Sequence, residues 1–401
     1  MPRTSPGSIS TLLVATVCSV RASALVPLWD RAAEWARRLA MIREAASFLY
    51  LSTYYIEYDE YGVALLDALD AAQGRGVAVN LLIDGFGQRL GGMLMSRRAR
   101  AALASELDAL RGAGAVVTFY RPARALQRQL GGGQHVKIQV SEAGEAIFGS
   151  SNITRSSFEG WNEYSVALRG PVVPELLESY RQIGGSVEAA HLQRLRQGAG
   201  DEAADLELEH WFCNPNAIQG PLGPLGWRGP NVVTERLIEM LDAARESIAM
   251  TSFYFKPVEP LMAALIRAAG RGVRVDVHHS HRHALPATDL AWIASAVSYE
   301  RLLGAGVHVY ENLHGEHSKI VLVDRVWTAF GSYNFEDAAH DRLAEAMLAS
   351  RDPRAVGPAA SILDALRRHP DNVPVTPRDL SVLPRGLKMK RAMFGRFKRW
   401  M

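Results

Sequence analysis

HSKIVLVD (His317–Asp324), followed after six residues by GSYN (Gly331–Asn334), repeats a string found 182 residues earlier: HVKIQVSE (His135–Glu142), then GSSN (Gly149–Asn152). In both copies a glutamate, Glu163 or Glu345, stands 28 positions beyond the histidine. A histidine and a lysine two apart on a strand share one face, because side chains alternate across a sheet. Val136, Ile138 and Val140 in the first copy, and Ile320 and Leu322 in the second, read as the apolar part of such strands. A second apolar strand then leads into Gly-Ser-x-Asn, where the hydroxyl and the amide again share a face. Each copy therefore offers an imidazole, an ammonium, a hydroxyl and an amide.

This set suits a phosphate. Lys137 and Lys319 can neutralise a phosphodiester and the five-coordinate species formed on attack, and the Ser150, Asn152, Ser332 and Asn334 side chains can share the non-bridging oxygens. One neutral imidazole attacks phosphorus while the other, protonated, gives its proton to the leaving alcohol. The roles reverse when water or an alcohol displaces the histidine. No metal or other cofactor is needed. Glu163 and Glu345 fit as acceptors for the far ring nitrogens, fixing tautomer and orientation. The residues alone leave open whether His135 or His317 is the nucleophile.

The string resembles the signature of the phospholipase D superfamily: His-x-Lys, four residues, Asp, six residues, Gly-Ser-x-Asn. The second copy fits throughout, with Asp324 as its acid; the first has Glu142 at that place. The resemblance implies a structural, turn-stabilising role for this acid and a covalent phosphohistidine, more often on the first histidine, here His135. Within the superfamily the chain looks most similar to bacterial cardiolipin synthases, in segments such as RGVAVNLLIDG (Arg75–Gly85) and RGVRV (Arg271–Val275). Its His-Val-Lys and Gly-Ser in the first motif are closer to generic phosphodiesterase members.

At 401 residues, 48% hydrophobic, the chain is long enough for two cores. Ser52–Ile56 matches Thr251–Phe255, and Gly112–Gly114 matches Gly304–Gly306, so the repeat spans most of the chain. The shrinking offset places extra residues at Arg124–Gly133, a loop bordering His135. Strand and helix alternate in each repeat, which implies two α/β/α sandwich domains with mixed, mostly parallel sheets. A pseudo-twofold axis would then bring both histidines to one cleft, as the phospholipase D-like fold implies. The expected divisions are 1–200, 206–375 and a tail, 376–401, with the linker at Gln197–Asp205.

Leu12–Val20 is an apolar run that reads as the first strand of the first repeat rather than a signal peptide. Cys18 and Cys213 fall at nearly equivalent repeat positions and offer no disulfide framework. No stretch of about twenty apolar residues is present. The net charge is +3, but Ser381–Met401 carries seven Lys or Arg and no acid. Arg391, Phe394, Phe397, Lys398 and Trp400 there suggest a basic amphipathic anchor for an anionic membrane surface. A phospholipid substrate and a cytoplasmic protein at the inner membrane's face follow as expectations; oligomeric state does not. A nuclease of the same superfamily would instead line its cleft with charge, Arg97, Arg98, Arg100, Arg121 and Arg124 being the available residues, and take DNA or RNA. A non-catalytic phospholipid-binding member would have broken motifs.

Overall fold

The computed structural model describes residues 15–200, 203–225, 229–285, 290–383 and 385–394. In the first half the strands are β1 (Ala15–Ala22), β2 (Ala24–Leu28), β3 (Phe48–Thr53), β4 (Ala78–Asp84), β5 (Val116–Tyr120), β6 (Gly133–Gln134), β7 (Lys137–Ser141), β8 (Glu145–Gly149) and β9 (Ser165–Arg169). The second half contributes β10 (Leu206–Cys213), β11 (Ser247–Ser252), β12 (Phe255–Lys256), β13 (Arg274–Ser280), β14 (His308–Asn312), β15 (Ile320–Val323), β16 (Trp327–Gly331), β17 (Phe335–Glu336), β18 (Leu343–Ser350) and β19 (Asn372–Pro374). One sheet runs β2-β9-β8-β7-β3-β4-β5; the other runs β1-β10-β18-β16-β15-β11-β13-β14-β19, with β6 beside β18.

The repeat is visible in this order: β9-β8-β7-β3-β4-β5 corresponds to β18-β16-β15-β11-β13-β14. Among the named strands, parallel pairing occurs in β3–β4–β5, β11–β13–β14 and the short β12–β17 and β6–β18 contacts. The remaining ladders are antiparallel, so the expectation of mostly parallel sheets is corrected. Their connections explain it. The motif strands β7 and β8, and β15 and β16, are joined by three residues each, and so short a connection makes a hairpin, whereas a parallel crossover needs a dozen residues or more.

Alternation along the strands divides the cores. In β3, Phe48 and Tyr50 face one way and Leu49 and Leu51 the other; in β15, Ile320 and Leu322 oppose Val321 and Val323. The inward sets of both sheets join one shared core with the helices Val172–Gln182 and Pro353–Arg368, where Tyr164 meets Phe330 edge-on at 5.4 Å. The outward sets bury beneath separate helices, such as Glu60–Gly74 and Val232–Ala243. The halves are thus fused through apolar contact, which fixes the two motif hairpins relative to one another.

One strand departs from the repeat. β1 is a strand, but it pairs antiparallel with β10 along all eight residues, in the second sheet; β2 holds the place in the first sheet that β10 holds in the second. Cys18 therefore lies opposite His210 and Ala15 opposite Cys213, so the two cysteines are not repeat equivalents. The helix Ala189–Gly200 runs into the segment expected as linker.

Candidate active site

Lys137 opens β7 and Lys319 immediately precedes β15, with each histidine two residues earlier. Ser52 and Thr251, at matching positions on β3 and β11, brace the entry: their hydroxyls accept from the Ile138 and Ile320 amides at 3.1 and 2.9 Å. His135 is fixed from the second half, its amide donating to the Ala344 carbonyl at 2.8 Å. His317 is fixed from the first, its amide donating to the Asn162 carbonyl at 2.8 Å. Both histidines, with Asn152 and Asn334, line a single cavity of about 600 Å³.

The glutamates cross over. His317 Nδ1 lies 2.7 Å from Glu163 of the first copy, and His135 Nδ1 lies 3.2 Å from Glu345 of the second. Spacing within one copy gives no hint of this exchange. The two arrangements also differ. His135 Nδ1 donates to the Ser332 carbonyl at 3.0 Å, an atom that only accepts, so Nδ1 carries the hydrogen and Nε2 keeps its lone pair. His317 donates to the carboxylate itself.

Ser150 and Ser332 face away from the cavity. Each hydroxyl donates to its own copy's glutamate, Ser150 to Glu163 at 2.5 Å and Ser332 to Glu345. Each also accepts the next strand's amide, from Tyr164 and Ala346, at 2.9 and 3.0 Å. The expectation that these hydroxyls hold the phosphate oxygens is corrected: each has a single hydrogen, committed to its glutamate, and so orients the carboxylate. Asn152 and Asn334 do face the cavity, and their side-chain oxygens, buried, have no protein partner.

Burial and mutual charge shape the protonation states. Burial, reinforced by Lys137, Lys319 and His317, pushes His135 well below the usual imidazole range. Burial also lowers His317, but Glu163 works against it. Burial and Lys319 bring Lys137 down to about 7, and burial brings Lys319 down to about 8. Glu163 is lowered: burial opposes its charge, but His317, Lys319 and the Ser150 hydroxyl outweigh it. Glu345 is raised well above the carboxylate range by burial, which Lys137 only partly offsets.

The motif acids stand outside this cluster. Asp324 accepts the Arg245, Glu246 and Ser247 amides at 2.9, 2.8 and 2.8 Å, and Glu142 accepts those of Ala46 and Phe48 at 2.5 and 3.4 Å. Both tie the hairpin turn to the strand beside it. Glu142's longer side chain reaches the same kind of partner.

Aromatic rings hold the imidazoles, and sequence reading did not single them out. Tyr54 meets His135 edge-on at 4.8 Å, while Trp161 stacks on His317 at 5.1 Å and Phe253 meets it edge-on at 4.6 Å. The match between Ser52–Ile56 and Thr251–Phe255 was the available signal, since it pairs Tyr54 with Phe253. Glu336, held by Lys256 at 3.4 Å, is a further group in the cavity wall that sequence reading did not mark.

One side of the cavity is apolar. Leu90, Met93 and Leu94 on the helix Gly85–Leu94 line it, are at least one-third exposed, and continue into Phe86 and Leu130. Gln129, Leu130 and Gly131 of the extra loop also border it. Arg97, Arg98, Arg100, Arg121 and Arg124 do not line it. In the tail, the helix Arg385–Phe394 packs on the helix Leu290–Gly304 through the buried Leu387. Arg391 is only 16% exposed and pairs with Glu300 at 2.5 Å, which turns it toward the body rather than outward. The Phe394 side chain, Phe397, Lys398 and Trp400 lie outside the described residues. No helix among the described residues is long and apolar enough to cross a membrane.

The family described as "Cardiolipin synthase, PLD-like domain" matches residues 39–183 and 237–367, which include both motifs. The chain belongs to this family. Cardiolipin synthase B of Escherichia coli is 27% identical over 309 residues, covering 74% of this chain and 68% of that protein. A cardiolipin synthase of Clostridium perfringens is 24% identical over 316 residues, and the match spans 60% of that protein's length. Phosphatidylserine synthase of Haemophilus influenzae superimposes with a TM-score of 0.71, covering 97% of this chain and 96% of that one; at 15% identity the likeness shows the shared fold.

Proposed function

We propose that the protein is a phosphatidyltransferase of phospholipase D type that acts on glycerophospholipids through a phosphohistidine, passing the phosphatidyl group to an alcohol or to water. The observation that carries the lipid reading is the apolar wall of Leu90, Met93 and Leu94 beside the two imidazoles. Acyl chains bury there, and a polynucleotide gains nothing from it. Motifs intact at every position but Glu142, whose turn-holding contacts are kept, weigh against a purely binding role.

His135 attacks through Nε2, since its hydrogen sits on Nδ1 and its surroundings disfavour a charge. His317, lowered to about 4 by burial against the pull of Glu163, takes up the proton as the anionic diester binds beside it, and delivers it to the leaving alcohol as the bond from phosphorus to that oxygen breaks. His317, now neutral, takes a proton from the incoming alcohol or water, whose oxygen displaces Nε2 of His135. Lys137 and Lys319 hold the phosphate charge, and Asn152 and Asn334 donate to its oxygens.

Incubation with phosphatidylglycerol vesicles and, separately, with single-stranded DNA tests the class. Cardiolipin or phosphatidic acid from the vesicles, with intact DNA, is the expected result; cleaved DNA with untouched lipid overturns it. Acid-free proteolysis of a quenched reaction should locate the phosphoryl group on the peptide containing His135.

A further inference from the structure

Beside the catalytic cavity lies a second one of about 490 Å³, outside the carboxyl ends of β4 and β5, where ligands of open α/β sheets characteristically bind. Phe86 and Gln129 line both, and the chain passes from the first to the second between Gly131 and Gly132. Arg89, Arg121 and Arg128 line it, and no carboxylate does. None of the three has an ion-pair partner among the described residues.

These guanidinium groups are positioned without being neutralised. Arg128 donates to the Pro122 and Ala123 carbonyls at 2.8 and 2.7 Å, contacts that fix it while leaving its charge uncompensated. Arg89 lies over the Phe86 ring at 5.0 Å. Arg121 crosses Gly85 so closely that a β-carbon there would fall 3.1 Å from its Cγ. Asp84, the adjoining acid, is buried and accepts the Gly87 and Gln134 amides. At the matching place in the second half, beyond β13 and β14, the pocket of about 340 Å³ sets Arg282 among the carboxylates of Glu311 and Asp379; in the first half Ala125, Arg128 and Gln129 of the extra loop take that side, and no carboxylate does.

We infer that this arginine pocket binds the phosphate of the acceptor, a second anionic glycerophospholipid whose free hydroxyl then reaches the phosphohistidine next door. The inference rests on the transferase reading above. Three forked donors sets match phosphate geometry, and a planar guanidinium holds such a group with two parallel bonds. Placing the anion in an adjoining pocket keeps it away from the negative phosphoryl group on His135.

The test uses labelled phosphatidylglycerol vesicles with butanol present, so that one phosphohistidine partitions among cardiolipin, phosphatidylbutanol and phosphatidic acid. In Arg121→Gln/Arg128→Gln, the ratio of cardiolipin to phosphatidylbutanol should fall at least fivefold. Glycerol 3-phosphate, followed by calorimetry, should occupy one more site on the wild type than on the variant, which keeps only the phosphate position at Lys137 and Lys319. Parallel loss of all three products, or no change in either readout, overturns the inference. Loss of that one site with an unchanged product ratio assigns the pocket to a soluble phosphate ester and overturns the acceptor role. If the wild type forms none of the three products, the transferase reading falls, and calorimetry alone decides whether the pocket holds an anion.

Discussion

Replacing Glu163 with glutamine isolates the crossed pair. The carboxylate takes three donors: Ser150 at 2.5 Å, Ser157 at 2.7 Å and His317 at 2.7 Å. A glutamine that keeps its oxygen toward Ser150 and His317 preserves two of these bonds, and Ser157 turns to accept from the amide. The fold is retained, and what disappears is the charge facing imidazolium. Hydrogen bonds to charged groups contribute about 1.5–3 kcal/mol against about 1 for neutral ones. With a weakened attraction between two buried charges added, about 2–3 kcal/mol of transition-state stabilisation is lost, roughly 30- to 150-fold in kcat.

The leaving group separates this from simple damage. Glu163 raises the His317 pKa, so its removal leaves less imidazolium at any pH. A p-nitrophenyl diester leaves without protonation, so Glu163→Gln should keep a near-normal first burst of nitrophenolate while steady-state turnover falls. Histidine NMR should show His317, not His135, as the ring whose pKa drops. A steady-state loss under threefold, a burst slowed as much as turnover, or a shift at His135 refutes the reasoning.

Lys137 and Lys319, brought down to about 7 and about 8, carry their charges below those values and lose them as pH rises. The pH profile of kcat/KM should therefore fall on the alkaline side from about 7, while kcat, measured with phosphate bound, falls at higher pH; a flat kcat/KM to pH 9.5 contradicts this. Met93→Lys with Leu94→Lys removes two apolar side chains whose burial contributes roughly 1.5–3 kcal/mol each. Turnover of vesicles should fall at least tenfold more than that of a soluble diester, and equal losses would count against the lipid trough. Gly315 has φ of 113°, and a β-carbon there would fall 2.3 Å from Trp161 Cδ1. Gly315→Ala should cost about 1–3 kcal/mol and slow turnover by displacing the ring stacked on His317, measured by thermal unfolding and kinetics; unchanged values of both would exclude that coupling.

The site was legible because the chemistry is written twice. His135 and His317, their lysines and the distant glutamates stand at identical spacings, and a repeated spacing marks residues on equivalent strands. Spacing also placed the extra loop beside the first histidine, where Gln129 to Gly131 border the cavity. It could not reveal which glutamate serves which histidine, since the offset is the same whether the pair forms within a half or across the two. The serines were misread for a related reason: alternation puts Ser150 and Asn152 on one face, but the backbone leaves the strand at Ser150, and only the amide reaches the cavity. The apolar run at Leu12–Val20 likewise read as a strand of the first repeat but carried no information on its partner, which proved to be β10 of the second. The parallel character of the sheets was overestimated because helices do separate β3, β4 and β5, and β13 and β14, while the motif strands are joined as hairpins.

The exchanged position of β1 bears on how the molecule can be dissected. Severing the chain near residue 200 would send β1 away with the first repeat and leave Leu206–Cys213 bare, an open edge ready to recruit another chain. The strand pairing itself parts at Ser23, so a second half with its sheet whole needs residues 15–22 as well as 206–374.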